Sequence, residues 1–337
     1  MTRRAFLLFT LLLILLFIGC LVFGSVSIEP ADVWAALTGA DAGSTTSFIV
    51  RQVRLPAAFT ALLSGASLAV SGLMLQTVFR NPLADPSILG INAGASLGVA
   101  IAMLALGGTW AAGTFMLRGF LLILFAAFVG AAAIILCLLA LSAIVRSSLM
   151  LLICGIMISY VTGSLISLLN YTATAEGVHS YVIWGLGNFN GVSLAHLPAF
   201  SLVLIVGLAA ATLLIKPLNL LLLGDGYAQN LGLNTRLART LCLAVCGVLT
   251  ATVTAYCGPI AFIGLAVPHI ARMFLGGANH RSLLPLTMLI GSTLALLCYL
   301  LSTLPRSHGL IPLNVITPLF GVPVILYVLL RARSVNE

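Results

Sequence analysis

Residues 119–145 read GFLLILFAAFVGAAAIILCLLALSAIV, an uncharged run closed by Arg118 on one side and Arg146 on the other. A helix rises about 1.5 Å per residue, so ~20 apolar residues cross the ~30 Å hydrocarbon layer of a membrane. The run is long enough to span and holds nothing that must stay in water. It reads as a transmembrane helix. Outward from it, apolar runs bounded by charges, Pro or Gly recur near 5–24, 57–79 and 88–107, and again near 149–169, 196–216, 237–256, 259–275, 283–304 and 312–331. The 337 residues thus predict an all-α membrane protein of about ten transmembrane helices, a single domain over 1–337 with no room for a large soluble part.

Composition agrees. The chain is 61% hydrophobic and 7% charged, with mean hydropathy +1.21, whereas soluble domains carry roughly a quarter charged residues. The formal charge of +8 comes from basic residues scattered singly or in pairs between apolar runs, so no basic stripe exists for nucleic acid. Cys20, Cys137, Cys154, Cys242, Cys246, Cys257 and Cys298 fall mostly within apolar runs and form no CxxC pair, which makes them packing residues and predicts no metal site. Arg3 and Arg4 precede an apolar stretch that passes Cys20 and reaches Phe23. This looks like a signal peptide but is long enough to span, and is read as a retained first helix.

If the first helix starts inside, the inward connections hold Arg3, Arg4, Arg80, Arg146, Lys216, Arg236, Arg239, Arg272, Arg281, Arg331 and Arg333, and the outward ones only Arg51, Arg54, Arg118 and Arg306. That asymmetry is the positive-inside rule, so both termini are expected in the cytoplasm. Three connections are long: 25–56 and 170–195 outside, and 217–236 inside. In the first, Pro30 with Glu29 and Asp32 beside it and a stop at Gly39 predict a short surface helix. In the inner one, Gly224-Asp225-Gly226-Tyr227-Ala228-Gln229-Asn230-Leu231-Gly232-Leu233 predicts a short helix at the cytoplasmic face, open to a partner.

Two segments are denser in punctuation than plain packing requires. Arg80-Asn81-Pro82-Leu83-Ala84-Asp85-Pro86 leads to Leu89-Gly90, and Asn-Pro with Asp-Pro forces a shaped, non-helical turn. Gly90, Gly94 and Gly98, spaced by four, give one helix face a close approach to a neighbour. Gly258-Pro259-Ile260-Ala261-Phe262-Ile263-Gly264-Leu265 opens a helix that Pro268 interrupts, with His269 and Arg272 near its inner end.

Together these segments resemble the iron-chelate, haem and cobalamin permease family of bacterial ABC importers, the type II importer fold. Asn81, Pro82, Asp85, Pro86 and Gly90, and Gly258, Pro259, Gly264, Pro268, His269 and Arg272, stand where the family's two strongest signatures stand, and the likeness covers nearly the whole chain. The resemblance implies alternating access by a dimer, a homodimer being expected, in the bacterial inner membrane. It implies that Gly224, Asp225, Tyr227, Ala228, Gln229, Leu231 and Gly232 dock on an ATPase chain, two of which hold ATP and Mg. The sequence has no GxxxxGK[ST] stretch, so no cofactor is expected on this chain itself. On the outer side, Arg51, Arg54 and Arg306 resemble arginines that meet carboxylates of a periplasmic or lipid-anchored substrate-binding protein. Ala57 stands where the family often has a further arginine, so either Arg51 substitutes or docking is weaker. Ser147 and Ser148 look like the cytoplasmic gate, and Tyr181 to Gly187 like the support of the pore mouth.

Two other readings compete. An ion-coupled transporter needs carboxylates within its spans, whereas Glu29, Asp32, Asp41, Asp85, Glu176, Asp225 and Glu337 all fall in expected connections or termini. An intramembrane serine protease could use Ser96 of Gly94-Ala95-Ser96-Leu97-Gly98 with His269 as base, but that motif works only at a strand-to-helix elbow.

Overall fold

The computed structural model describes residues 2–40, 44–107, 109–112, 115–145, 148–304 and 310–333. Among them, six helical stretches are long and apolar enough to cross a membrane: Arg3–Val22, Thr45–Val78, Phe120–Ser142, Leu149–Thr172, Thr235–Cys257 and His280–Thr303. A bent pair, Leu197–Leu213 with Ile215–Leu222, makes a further span, and Ile91–Ala105, Ile263–Leu275 and Leu313–Tyr327 are shorter apolar helices. These are the ten segments expected from the apolar runs.

The helices are α1 (Thr2–Val22), α2 (Pro30–Thr38), α3 (Thr45–Phe48), α4 (Leu55–Val78), α5 (Ile91–Ala100), α6 (Phe120–Ile144), α7 (Ser148–Thr172), α8 (Ala175–Gly185), α9 (Leu197–Leu213), α10 (Ile215–Leu222), α11 (Asp225–Asn230), α12 (Thr235–Cys257), α13 (Ile263–Leu275), α14 (His280–Thr303) and α15 (Leu313–Arg333). Helix α2 starts at Pro30 and stops at Gly39, whose φ of 90° accepts the left-handed cap, as the sequence predicts.

Three differences have local causes. The second span begins at Thr45, not near 57, because Ser44 caps α3 by accepting from the Ser47 amide. The helix then widens into a π turn over Ile49–Arg54, closed by the Leu55 amide on the Val50 carbonyl. Pro56 explains the widening: it has no amide to donate, and its ring would meet the carbonyl one α turn back. The sixth span bends by 50° at Leu214, where Pro217 has no amide to close on the Leu213 carbonyl four residues back. Third, Thr109–Ala112 and Phe115–Arg118 pair as an antiparallel hairpin, β1 and β2, with Trp110 opposite Leu117. No strand was expected there.

By internal contacts the chain forms two compact units, the first made of 1–70, 188–206 and 260–337, the second of 71–187 and 207–259. In the first unit α4 and α14 meet backbone to backbone: a Cβ on Gly65 would lie 2.2 Å from the Gly291 carbonyl oxygen, and the Ser292 hydroxyl donates to the Leu62 carbonyl at 2.8 Å. In the second unit α5 and α6 do the same, since a Cβ on Gly98 would lie 2.0 Å from the Ala126 oxygen and one on Gly130 2.1 Å from the Gly94 oxygen. The small-residue face expected at Gly94 and Gly98 is therefore a packing face. Beside it the Thr254 hydroxyl donates to Asn92 Oδ1 at 2.9 Å, tying α5 to α12 where both side chains are buried.

Candidate functional site

The 80–90 connection is shaped by its own side chains. Helix α4 ends with the Arg80 amide on the Thr77 carbonyl and the Asn81 amide on the Gln76 carbonyl, a Schellman closure that places Arg80 at φ 47°. Asn81 Oδ1 accepts the Leu83 amide at 2.9 Å, a turn that Pro82 then rigidifies. Asp85 is buried, 5% exposed, and takes the Ser87 amide and hydroxyl on Oδ1 at 3.3 and 3.2 Å. Burial pushes its carboxyl up to about 6, against the pull of the two Ser87 hydrogen bonds. Pro86 is buried beside it, and Gly90 turns the chain into α5 at φ 83°.

The expected inner segment is a short helix, α11, reached through α10 rather than directly from a loop. Ala228 is buried beneath it, while Tyr227 and Leu231 are 72% and 61% exposed, with Gln229 and Gly232 also exposed. It closes in a Schellman motif: the Leu233 amide on the Ala228 carbonyl, the Gly232 amide on the Gln229 carbonyl, and Gly232 at φ 84°. Gln229 donates to the Thr235 hydroxyl at 3.1 Å, and Asn234 caps α12. Asp225 Oδ2 meets two guanidinium groups, Arg80 Nη2 at 3.5 Å and Arg239 Nη2 in closer contact. Neither partner was foreseen; the signal available was an acidic residue in a connection otherwise supplied with arginines.

The outer arginines are placed differently from expectation. Arg54 is 5% exposed, and its guanidinium donates to the carbonyls of Leu21 and Val22 at 2.8 Å and to that of Val26. It satisfies the last acceptors of α1 and one carbonyl just beyond it. Arg54 thus caps α1 with its head inside the protein, a structural role beside the docking role expected of it. Arg51 is half-buried and donates to the Ala36 and Leu37 carbonyls, the same service to α2. Arg306 lies outside the described residues.

The second signature divides at Pro259. A Cβ on Gly258, at φ 76°, would lie 2.4 Å from the Trp184 carbonyl oxygen, so only glycine seats α8 there. Beyond the proline, Phe262 opens α13 from a left-handed φ of 70°, and the Ala261 amide donates to Asn314 Oδ1 at 3.3 Å. Gly264 and Pro268 are buried within α13, His269 is buried and Arg272 half-buried. Ser96 lies inside α5 and shares a hydrogen bond with the Tyr181 phenol, so it has no elbow from which to act as a nucleophile.

Helix α7 carries one face of a different kind. Ile153, Met157, Tyr160, Ser164, Ser167 and Tyr171 recur at helical spacing and are exposed, Tyr160 by 71% and Tyr171 by 88%. Ser148 is the first residue of this helix; Ser147 lies outside the described residues. Among the described residues no group of His, Cys, Asp and Glu could hold a metal ion.

Residues 11–331 match the sequence profile of the FecCD transport family. Over 96% of this chain and 93% of the relative, the sequence is 34% identical to the vitamin B12 import system permease protein BtuC of Klebsiella pneumoniae. It is also 34% identical to the molybdate import system permease protein MolB of Haemophilus influenzae, over 97% of this chain and 96% of that one. A solved metal-chelate type ABC transporter in an inward-facing conformation superposes with TM-score 0.83 at 30% identity, covering 98% of this chain and 100% of the other.

Proposed function

The chain belongs to the FecCD transport family, and from that premise we propose that it is the permease subunit of an ATP-driven importer that moves a bulky metal chelate, haem or cobalamin across the bacterial inner membrane as a homodimer. The observation that carries the pathway is the exposed face of α7. Two tyrosines exposed on one side of a membrane helix gain little from lipid, and beside them Ser164 and Ser167 donate to the carbonyls of Tyr160 and Gly163 while their oxygens stay open to accept. They suit a water-filled path completed by a second copy of the chain. That face offers hydroxyls and rings but no cation, which fits a large, mostly neutral cargo better than a small oxyanion such as the one in the MolB name.

In this reading both termini and α11 lie in the cytoplasm, where the exposed Tyr227 and Leu231 dock on an ATPase chain that holds ATP and Mg. A binding protein delivers cargo on the opposite side, with Arg306 meeting its carboxylates and Ser147 and Ser148 narrowing the exit. The whole chain acts as one permease domain that supplies path and gates, with hydrolysis on the partner. Ion coupling fits less well: Glu29, Asp32, Asp85, Glu176 and Asp225 all sit in connections or short surface helices, outside the apolar spans.

The test is uptake into proteoliposomes holding permease, ATPase and binding protein, with labelled cyanocobalamin, haemin, a ferric siderophore and molybdate offered in turn. One of the first three should accumulate only with ATP on the cytoplasmic side. Accumulation driven by a proton gradient without the ATPase would overturn the proposal, and selective uptake of molybdate would overturn the cargo class.

A further inference from the structure

Two helices end within the second unit in the same Schellman closure, and they treat its left-handed position differently. Helix α11 uses Gly232, at φ 84°, the residue that position favours. Helix α4 uses Arg80, at φ 47°, where a side chain is disfavoured. Such strain persists where surrounding contacts hold it, and it marks places where the side chain is needed. Here the guanidinium of Arg80 reaches Asp225 Oδ2 at 3.5 Å, the oxygen that Arg239 also contacts. The chain next to Asp225 is cut to admit it. Gly224 adopts φ 98° and ψ 157°, a glycine conformation, and a Cβ there would lie 3.3 Å from Arg80 Nη1.

One carboxylate oxygen therefore joins three segments: the end of α4 with the 80–90 connection, the start of α11, and the second turn of α12. The Arg80 head is half exposed, and an ion pair so exposed adds little stability. What it fixes is position. We propose that Asp225, gripped by Arg80 and Arg239, is a positioning residue that locks the partner-facing helix α11 to the 80–90 connection, so that movement of a docked ATPase reaches α4 and α5 as a rigid displacement. This rests on the reading of α11 as the ATPase-docking segment. Without the lock, α11 yields alone and hydrolysis is spent without moving the gates.

Spin labels at Leu83→Cys and Asn230→Cys, both exposed positions, report the distance across the lock, with the native Cys137 and Cys154 replaced by serine. Distances are measured on the permease alone and on its ATPase complex before and after trapping with ATP and vanadate. The parent protein should give one narrow distribution that trapping leaves in place. D225N, and independently R80Q, should widen it about twofold or more and let it shift on trapping, while D225E should restore the parent behaviour. If D225N and R80Q both match the parent in every state, the lock does not exist. If the ATPase fails to co-purify with the parent permease, the docking reading falls instead. The width in the permease alone then decides the lock: broadened in both variants it stands, unchanged it fails.

Discussion

Arginines in two regions of this chain do different work. Arg51 and Arg54, in the π turn of the second span, turn to main-chain carbonyls at the ends of α1 and α2. Arg80, at the end of α4, and Arg239, in the second turn of α12, share a carboxylate on a helix whose other side is exposed. A guanidinium brings five donors and no acceptor, so it goes wherever acceptors are left over. At a buried helix end those are carbonyls, and the arginine stabilises the fold. At an exposed helix start they belong to a side chain, and the arginine fixes one segment to another.

The contrast is sharpest at Arg54. Replacing it with Met leaves the carbonyls of Leu21, Val22 and Val26 without their donor in a buried site and should cost about 3 kcal/mol. In detergent this should appear as a fall of several degrees in melting temperature. An unchanged melt would return Arg54 to the list of surface arginines.

Asp85 and Asp225 extend the comparison to carboxylates, one buried and accepting from Ser87, the other between two cations. The folded-state value of Asp85, about 6, lies above its ordinary 3.8. The fold therefore favours the protonated form, and the stability that this group contributes is full below the ordinary value and is lost as pH rises through about 6. D85N should be more stable than the parent at pH 7 by about 2 kcal/mol, with the gain vanishing towards pH 4. Melting curves across that window check it.

Arg306→Glu tests the docking role proposed for the arginines facing the binding protein. Binding-protein affinity should weaken about tenfold and its salt dependence should flatten, measured by titration of the reconstituted permease. R51A, at a half-buried cap, should cost about 1 kcal/mol. R80Q should cost at most about 0.5 kcal/mol in the same melting assay, despite its effect on the distance across the lock. If R80Q destabilised as much as R54M, the division between fold-holding and segment-joining arginines would collapse.

Much of this was legible in the sequence. Each apolar run between Arg118 and Arg146, or between Pro and Gly stops, became a helix because desolvated backbone has no other partner than itself. Helix α2 was legible to its last residue, since Pro30 fixes the φ that opens a helix and Gly39 tolerates the left-handed φ that closes one. The α11 segment was legible as a short helix, and Gly94 and Gly98 as a packing face. The start of the second span at Thr45 was not, because the charges of Arg51 and Arg54 read as a loop. Their heads fold back on to helix ends that lie 14 to 33 residues away in the chain.

The sequence by itself therefore determined which segments are helices and which family they make, because hydrophobic length, proline and glycine act locally. Tertiary structure alone decided what the charged side chains meet, which helices touch through Gly65 and Gly291, and which face of α7 stays open. Those depend on where unsatisfied acceptors and bare backbone come together in space, and no spacing along the chain records that.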